Sequence, residues 1–250
     1  MNKLLELKDV SFTYQTLTDE INAIENLSFS CDEGQFVSII GPSGCGKTTI
    51  LSLIAGLLKP ASGSISFEGK KLNGRNESLG YMLQKDQLFP WRTIEKNVML
   101  PLEIKGKVTP ENKKYATSLL EKYGLKDFDK NYPDQLSGGM RQRAALIRTL
   151  VSEPKLLLLD EPFSALDYQT RISVCDDVYG IIKAEKKTTV LVTHDISEAI
   201  SMSDIILVLT ARPSKVKSVH TPRLKGDSPL RKRENPEFGS LFEKIWRELN

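Results

Sequence analysis

The chain has few cysteines, no long apolar run and almost no net charge. Its three cysteines lie far apart and form no CxxC pair, which argues against a disulfide scaffold or a zinc site and fits a reducing compartment. The formal net charge of +3 is too close to zero to indicate nucleic-acid binding by itself. What remains at this length is a globular chain with room for one large α/β domain.

Membrane-spanning and secretory segments are also missing from the sequence. The longest apolar runs, such as residues 205–209, fall far short of the roughly 20 residues that a membrane span needs. Glu6 interrupts the apolar start, so this start is not typical of a signal peptide. We therefore expect a soluble cytoplasmic chain that would work at a membrane only from the surface, through a partner.

The order of predicted elements is typical of an α/β protein. Strands dominate the N-terminal part, with one helix at 47–58 that Pro60 is expected to end. A helical pattern runs from about residue 93 to 152, and strands then alternate with helices, which indicates a mostly parallel sheet covered by helices. The predicted strands are 4–14, 24–31, 35–40, 64–68, 79–84, 156–160, 189–193 and 205–209, and the last predicted helices are 172–185 and 197–202.

The pattern predicts one domain over residues 1–250, built in three parts. These are a core at about 1–87 and 154–220, a helical subdomain at about 88–153, and a C-terminal tail at about 221–250. From residue 211 onward the chain carries ten basic and five acidic residues. We expect this stretch to be a solvated surface, with contact to a membrane surface or a partner as the alternative.

A glycine-rich loop follows the apolar residues 36–40 and opens a helix, the context that separates a phosphate-binding P-loop from an ordinary glycine-rich turn. Its backbone N–H groups would surround the β- and γ-phosphates at the positive end of the helix. Lys47 would reach those phosphates, and the Thr48 hydroxyl would ligate Mg²⁺. Cys45 is expected to be only a small residue that fits the loop. The predicted phosphate-binding residues are Gly41, Pro42, Ser43, Gly44, Cys45, Gly46, Lys47, Thr48 and Thr49.

Two acids stand at the carboxyl end of the apolar run 156–159, which is typical of a buried central strand. Asp160 is placed to hold Mg²⁺ through water. Glu161 is placed as the general base that orients or activates the attacking water. A helix cap is the alternative for such a pair, but a P-loop in the same chain favours ATP hydrolysis.

A second anion-binding end is predicted where Ser137, Gly138 and Gly139 open the helix 140–151, because free N–H groups and a hydroxyl meet there. One chain has one P-loop, and this helix is not expected to reach its own nucleotide from a separate subdomain. We therefore expect two copies to pair head to tail, each closing its Ser137 helix over the γ-phosphate held by the other. A plain N-capped helix is the alternative.

With these motifs in order, the sequence resembles the ATP-binding subunits of ABC (ATP-binding cassette) transporters over nearly its whole length. The resemblance implies a P-loop NTPase (RecA-like) α/β core with a mostly parallel sheet, N-terminal antiparallel strands and an inserted helical subdomain. It also implies that Tyr14 stacks on adenine, that Gln84 senses Mg²⁺ and the attacking water, and that Asp167 belongs to a loop across the dimer interface. His194 would contact the γ-phosphate. Met140 departs from the family pattern, where Gln is more common, and puts only a peripheral contact in doubt.

Two segments, residues 88–98 and 211–214, look like those of importer ATPases for nitrate, sulfonates and taurine. That subgroup also serves thiamine-precursor and other small-molecule importers, so the cargo stays open. The resemblance implies a homodimer with ATP sandwiched in it, an integral-membrane permease, an external solute-binding protein, and a position on the cytoplasmic face of the membrane. Phe89 and Trp91 are costly to expose, so they should be buried or meet a partner.

Two other classes of ABC protein stay open. One is an exporter or lipid-extraction subunit of similar size, and the other is a soluble ATPase of DNA repair, chromosome organisation or translation. Chromosome-type members carry a long coiled coil between the P-loop and the second anion site, whereas fewer than a hundred residues without heptads separate Lys47 from Ser137. Translation-type members carry two cassettes, and this chain has room for one. We therefore expect ATP and Mg²⁺ as cofactors and no nucleic-acid partner.

Overall fold

The computed structural model describes residues 3–15 and 19–249. Two compact units are present, one formed by the described residues of Met1–Glu77 and Lys186–Asn250 and the other by Ser78–Glu185. The second unit is larger than the helical segment expected at 88–153, because it also includes two strands and one further helix. The subdomain boundaries inferred from the sequence stay a prediction.

The described chain, with short 3-10 turns at Lys126–Phe128 and Pro133–Gln135, begins with strands, continues with a run of helices after residue 82 and then alternates strands with helices up to residue 209. In chain order they are β1 (Lys3–Gln15), β2 (Glu20–Asp32), β3 (Phe36–Ile40), α1 (Lys47–Ile54), β4 (Ser62–Phe67), β5 (Lys70–Lys71), β6 (Leu79–Met82), α2 (Ile94–Ile104), α3 (Pro110–Lys122), α4 (Gly138–Leu150), β7 (Leu156–Asp160), α5 (Tyr168–Ala184), β8 (Thr188–Val192), α6 (Ile196–Met202), β9 (Ile205–Leu209), β10 (Val216–His220), α7 (Pro229–Arg233) and α8 (Pro236–Leu249).

The first unit holds two sheets. The N-terminal one is antiparallel where its strands pair, in the order β2-β1-β4-β5. In the other, strands follow in the order β10-β9-β3-β8, with β3 parallel to both β8 and β9. All residues of β3 and β8 are buried, as expected for parallel strands covered on both faces. The α/β P-loop fold with antiparallel N-terminal strands is confirmed.

The second unit pairs β6 with β7 in parallel, so that Met82 lies opposite Leu159. Helix α4 packs against α2, α3 and α5. It also lies close to β6, because a Cβ atom at Gly80 would be 2.7 Å from Cγ2 of Thr149.

The first helix is shorter than predicted. It ends at Ile54 rather than at residue 58, and Pro60 does not end it. The physical reason is Gly56, which adopts a left-handed backbone with φ +69°, as glycine commonly does just after a helix. A Cβ atom there would lie 2.1 Å from the carbonyl oxygen of Gly74, so only glycine fits.

The C-terminal tail is folded, and the expectation of a solvated surface was wrong. Helix α8 places Ile245, fully buried, in a cluster with Ile40 and Ile200. Phe238 and Phe242 pack on the same cluster. The apolar residues of α8 recur at helical spacing, so the helix packs one apolar face against the cluster while Lys244 and Arg247 stay exposed.

Candidate functional site

The glycine-rich loop between β3 and α1 is tightly curled. Gly44 and Gly46 have φ values of +73° and +109°, which glycine adopts without the strain that a side chain would cause. At Gly41 a Cβ atom would lie 2.9 Å from Sγ of Cys45 and 3.0 Å from Cβ of Leu209. Such a curl at a helix start turns backbone N–H groups toward a bound phosphate.

Lys47 lies inside this loop and is 7% exposed. Its ammonium donates to the carbonyl oxygens of Gly41 at 2.9 Å and Pro42 at 3.0 Å. A buried cation held by carbonyls, with no carboxylate among its described partners, is favourably placed for a phosphate anion.

Burial raises the pKa of the Cys45 thiol although the Lys47 charge acts against it, which fits a small neutral packing residue. Thr48 is exposed in the first turn of α1.

Tyr14 is brought beside the same helix. Its hydroxyl lies 3.0 Å from Oγ1 of Thr49, and its ring meets Phe12 edge-on with centroids 4.8 Å apart. The Tyr14 ring remains partly exposed. An exposed aromatic face at the phosphate-loop helix suits a planar base.

His194 leaves the sheet at the same edge as the glycine-rich loop, because β8 runs parallel to β3 with Ile39 opposite Val192. The side chain of His194 is exposed. The turn before it is fixed by Thr193, whose hydroxyl donates to the buried Glu198 carboxylate at 2.5 Å. The structure thus places His194 and the P-loop on one sheet edge within the first unit.

The two acids after β7 lie in the second unit. Asp160 is buried and accepts a 3.3 Å hydrogen bond from the Tyr81 hydroxyl. Glu161 has φ 44°, a left-handed conformation that non-glycine residues adopt at an energetic cost and often at functional sites. Nε2 of Gln84 lies 3.4 Å from Oε2 of Glu161 and 3.3 Å from Oγ of Ser164. The structure therefore brings the predicted residues Gln84 and Glu161 together, whereas Tyr81 was not foreseen.

Ser137 caps α4 by accepting a hydrogen bond from the backbone N–H of Met140 at 3.3 Å. A Cβ atom at Gly138 would lie 2.9 Å from Cδ2 of Leu166, and one at Gly139 would lie 2.7 Å from Cγ2 of Val174. The glycines are thus also required by packing, a role that sequence reasoning did not give them. The capping serine and the two glycines remain compatible with anion binding at this helix start.

A cleft of about 420 Å³ opens beside this helix start, and Ser137 and Asp167 both line it. Asp167 caps α5, accepting a 3.1 Å hydrogen bond from the backbone N–H of Thr170. This contact with Thr170 lowers the pKa of Asp167 below its ordinary value. Helix α5 consequently begins four residues before the predicted start at residue 172.

The loop after Gln84 is held by residues that the sequence did not single out. Nδ2 of Asn97, a fully buried residue, lies 2.9–3.1 Å from the carbonyl oxygens of Phe89, Arg92 and Thr93, which share its two N–H hydrogens. Its own carbonyl accepts from the N–H of Phe89 at 2.7 Å. One side chain therefore closes the whole turn before α2.

Helix α4 contacts the same loop through two arginines. Arg148 donates to the carbonyl oxygens of Asp86 at 2.5 Å and Gln87 at 2.6 Å. Arg141 lies 3.3 Å from the carboxylate of Asp86. The two arginines are two helical turns apart on α4, a spacing that could have indicated a shared partner.

Comparison with known proteins identifies the family of the chain. Residues 24–164 match the family described as ABC transporter. Over 248 residues the chain is 48% identical to the uncharacterized ABC transporter ATP-binding protein YtlC of Bacillus subtilis (strain 168), covering 98% of this chain and 95% of that protein. It is 36% identical over 246 residues to the aliphatic sulfonates import ATP-binding protein SsuB of Bacillus cereus (strain ZK / E33L), covering 98% and 95%.

A solved structure is similar as well. The dimeric post-hydrolysis state of the ATP-binding cassette MJ0796, bound to ADP and Pi, matches with a TM-score of 0.73 and 33% identity, covering 88% of this chain and 99% of that one. In the described ranges 3–15 and 19–249, no helix has the length and apolar character needed to cross a bilayer. The chain belongs to the ABC transporter family and is one of its ATP-binding, ATP-hydrolysing subunits.

Proposed function

We propose that this ATPase powers the import of a small molecule and contacts a membrane permease through the loop that follows Gln84. The proposal is carried by Phe89 and Trp91, which are 36% and 72% exposed. Their rings stack with centroids 5.0 Å apart and planes 25° from parallel. Exposed stacked aromatics form the kind of surface that partners cover, because they offer large apolar area at little entropic cost.

The loop that presents these rings is held by several side-chain hydrogen bonds. Besides the bonds made by Asn97, Arg92 donates to both carboxylate oxygens of Glu103 at 2.7 Å. A loop held in this way loses little conformational entropy when a partner binds it. The same loop begins at Gln84, which contacts Glu161, so a shift imposed at Trp91 has a short path to the catalytic acids.

Within the ATP site, the chain supplies groups of the required chemical types. Lys47 and the loop N–H groups would bind the β- and γ-phosphates. Hydroxyl, amide and carboxylate oxygens of Thr48, Gln84 and Asp160 would hold Mg²⁺, which prefers such ligands. The ion, when bound, neutralises charge on the phosphates. Glu161 would orient or activate the attacking water.

Two copies are proposed to form the working unit. The Ser137 helix of each copy would close over the γ-phosphate held by the other, with Asp167 at the interface. Tyr14 would stack on adenine and His194 would contact the γ-phosphate. The proposal is supported by the dimeric state of the MJ0796 cassette and by the cleft that Ser137 and Asp167 line.

The proposed cargo is a small molecule of the sulfonate, nitrate or taurine type, or a thiamine-precursor-like compound. The likeness to the sulfonate importer subunit SsuB supports the first class. Such an importer needs a permease, which would hold this chain on the cytoplasmic face of the membrane, and an external solute-binding protein. In this arrangement the permease and the binding protein select the cargo.

The test is co-purification from the native cell. The tagged chain is solubilised gently, and the proteins that accompany it are identified by mass spectrometry and quantified. Trp91→Ser removes the larger exposed ring of the loop, and Trp246→Ser is the matched control, since Trp246 is also exposed but lies on α8. We expect a polytopic permease at equal amount with the wild type and the control, and its loss with Trp91→Ser.

Other outcomes would count against the proposal. Undiminished recovery of the permease with Trp91→Ser would place the contact elsewhere. Recovery of ribosomes, of DNA-repair proteins or of no partner would favour a soluble ABC ATPase. A permease found without any solute-binding protein encoded beside it would favour an exporter.

A further inference from the structure

We infer that Arg212 is a positioning residue for nucleotide binding, because it holds the phosphate loop in its binding shape. Nε and Nη2 of Arg212 donate to the carbonyl oxygen of Gly44 at 3.2 Å and 2.7 Å. The two residues are 168 positions apart in the sequence but belong to the same compact unit. The contact therefore depends on the fold, and no motif shows it.

The peptide group between Gly44 and Cys45 is fixed at both ends. Its carbonyl accepts from Arg212, and its N–H donates to the carbonyl oxygen of Pro42 at 3.3 Å. That Pro42 oxygen also accepts from the Lys47 ammonium at 3.0 Å. A continuous set of hydrogen bonds thus runs from Arg212 through the loop to Lys47.

The hydrogen bond from Arg212 matters because a glycine at position 44 leaves the adjoining peptide group free to rotate. Gly44 has φ +73° and faces little steric resistance to rotation of the adjoining peptide group. Because the C=O and N–H of a trans peptide point in opposite directions, a rotated peptide would break both bonds at once. The positive charge of Arg212 also lies beside the loop that receives a polyanion, where it attracts phosphate.

Arg212 is itself carried by a well-fixed loop. Thr210 N–H donates to the carbonyl oxygen of Lys215 at 3.0 Å, and Lys215 N–H donates to Oγ1 of Thr210 at 2.9 Å. Ser214 N–H donates to the carbonyl oxygen of Ala23 at 3.0 Å. The guanidinium is therefore presented by a loop tied to β2 on one side and closed after β9 on the other.

The test distinguishes a loss of contacts to the β-phosphate from a general loss of nucleotide affinity. Binding of trinitrophenyl-ADP and trinitrophenyl-AMP to the full chain is measured by fluorescence, since only the former has a β-phosphate. We expect Arg212→Ala to weaken the ADP probe about tenfold, as for loss of a charged hydrogen bond, and to leave the AMP probe nearly unchanged. Arg212→Lys keeps the positive charge but not the two N–H donors of the planar guanidinium, so it should recover part of the affinity for the ADP probe.

A matched control lies in the same loop. Lys215→Ala removes a cation whose described ion pair is with Glu25, at 3.0 Å, rather than with the phosphate loop, so both probes should bind it as they bind the wild type. Melting temperatures without nucleotide show whether any variant is misfolded. ADP-probe binding by Arg212→Ala equal to the wild type, or an equal loss with both probes, would overturn the inference.

The inference rests on the proposed phosphate-binding role of the loop. Lys47→Ala in the same assay makes the two failures distinguishable. If Lys47→Ala weakens the ADP probe and Arg212→Ala does not, only the inference on Arg212 fails. If neither variant differs from the wild type, the phosphate-binding role of the loop fails with it.

Discussion

The side-chain nitrogen of Gln84 lies 3.4 Å from a carboxylate oxygen of Glu161. Gln84 stands just beyond β6 and Glu161 just beyond β7, and the parallel pairing of these strands sets the contact. Gln84 also opens the loop that presents Phe89 and Trp91. One residue therefore contacts the proposed general base while belonging to the proposed permease-contacting loop, which offers a physical route from docking to hydrolysis.

Replacing Glu161 with glutamine should abolish most hydrolysis and preserve ATP binding. The side chain keeps its size but cannot accept a proton, so kcat is expected to fall about 100-fold or more. Steady-state ATPase assays and light scattering for ATP-dependent dimers measure both effects. Glu153→Gln is the matched control, because Glu153 is an exposed glutamate that also has a positive φ, of 51°. Wild-type turnover by the Glu161 variant would contradict the assigned role.

Ser137→Asp should block dimer closure over ATP without unfolding the helix. Aspartate caps helices as well as serine does, so the bond to Met140 N–H has a substitute. Its negative charge would repel the γ-phosphate of the partner's nucleotide. Ser137→Asn is the control, since asparagine is a comparable cap without charge.

The expected result is that both Ser137 variants bind ATP as monomers with wild-type affinity. ATPase activity and ATP-dependent dimers should be lost with aspartate and largely kept with asparagine. Equal activity of the two variants would mean that no phosphate approaches this helix start.

Gly139→Ala should destabilise the second unit despite the better helix propensity of alanine. Its Cβ atom would lie 2.7 Å from Cγ2 of Val174, a β-branched side chain on α5 that has little rotamer freedom. Overpacking of this kind typically costs about 1–3 kcal/mol, against a propensity gain of about 1 kcal/mol. Thermal unfolding without nucleotide should show a lower Tm.

The effect of Gly139→Ala on the Tm should change sign in a Val174→Ala background. There the clash is removed, and the gain in helix propensity remains, so Gly139→Ala should raise the Tm relative to Val174→Ala alone. A destabilisation of equal size in both backgrounds would show that the packing contact is not its cause.

The secondary structure around the candidate site residues agrees most closely with the sequence where those residues are contiguous. The P-loop around Lys47 and the acids Asp160 and Glu161 each follow an apolar strand within a few residues, so local pattern and local structure coincide. The C-terminal end of the helix that begins at Lys47 was nevertheless predicted wrongly, at residue 58 instead of Ile54. The sequence shows Pro60 as an obvious stop, whereas the requirement for Gly56 comes from the distant backbone of Gly74.

Contacts between segments that are remote in the chain could not be predicted from the sequence. Arg212 meets Gly44 only after β9 is placed beside β3. Asn97 is an ordinary polar residue in the sequence, and its four bonds to the preceding loop appear only in the fold. For α8, the sequence does show apolar residues at helical spacing from Phe238 to Ile245. The many basic residues around them nevertheless led to the prediction of a solvated surface.

Glu248 should stabilise the docking of α8 in a pH-dependent way. One of its carboxylate oxygens lies 2.9 Å from Nε2 of His220 and also accepts from the Ser218 hydroxyl, while Lys217 donates to its backbone carbonyl. Burial acts to raise the pKa of Glu248, but the hydrogen bonds from Ser218 and His220 outweigh it and hold this pKa below its ordinary value of 4.5.

The sign of the effect follows from this shift. A carboxyl whose pKa is lowered by folding contributes stability above its unfolded pKa and loses it as the pH falls through the folded pKa. Glu248→Gln should therefore lower the free energy of unfolding at pH 7 by up to about 1 kcal/mol, the usual size for a partly exposed hydrogen-bonded charge. The difference from the wild type should shrink as the pH falls below 4.5.

Urea unfolding followed by tryptophan fluorescence in a Trp91→Phe background reports on Trp246, which stacks on Phe242 in the same helix. Glu243→Gln is the control, because Glu243 also lies on α8 but is 72% exposed, and its partner among the described residues is Arg247 at 3.5 Å. That control should match the wild type at every pH. A Glu248→Gln deficit that stays constant down to pH 3 would mean that packing of α8 on the Ile245 cluster, rather than the carboxylate, sets its stability.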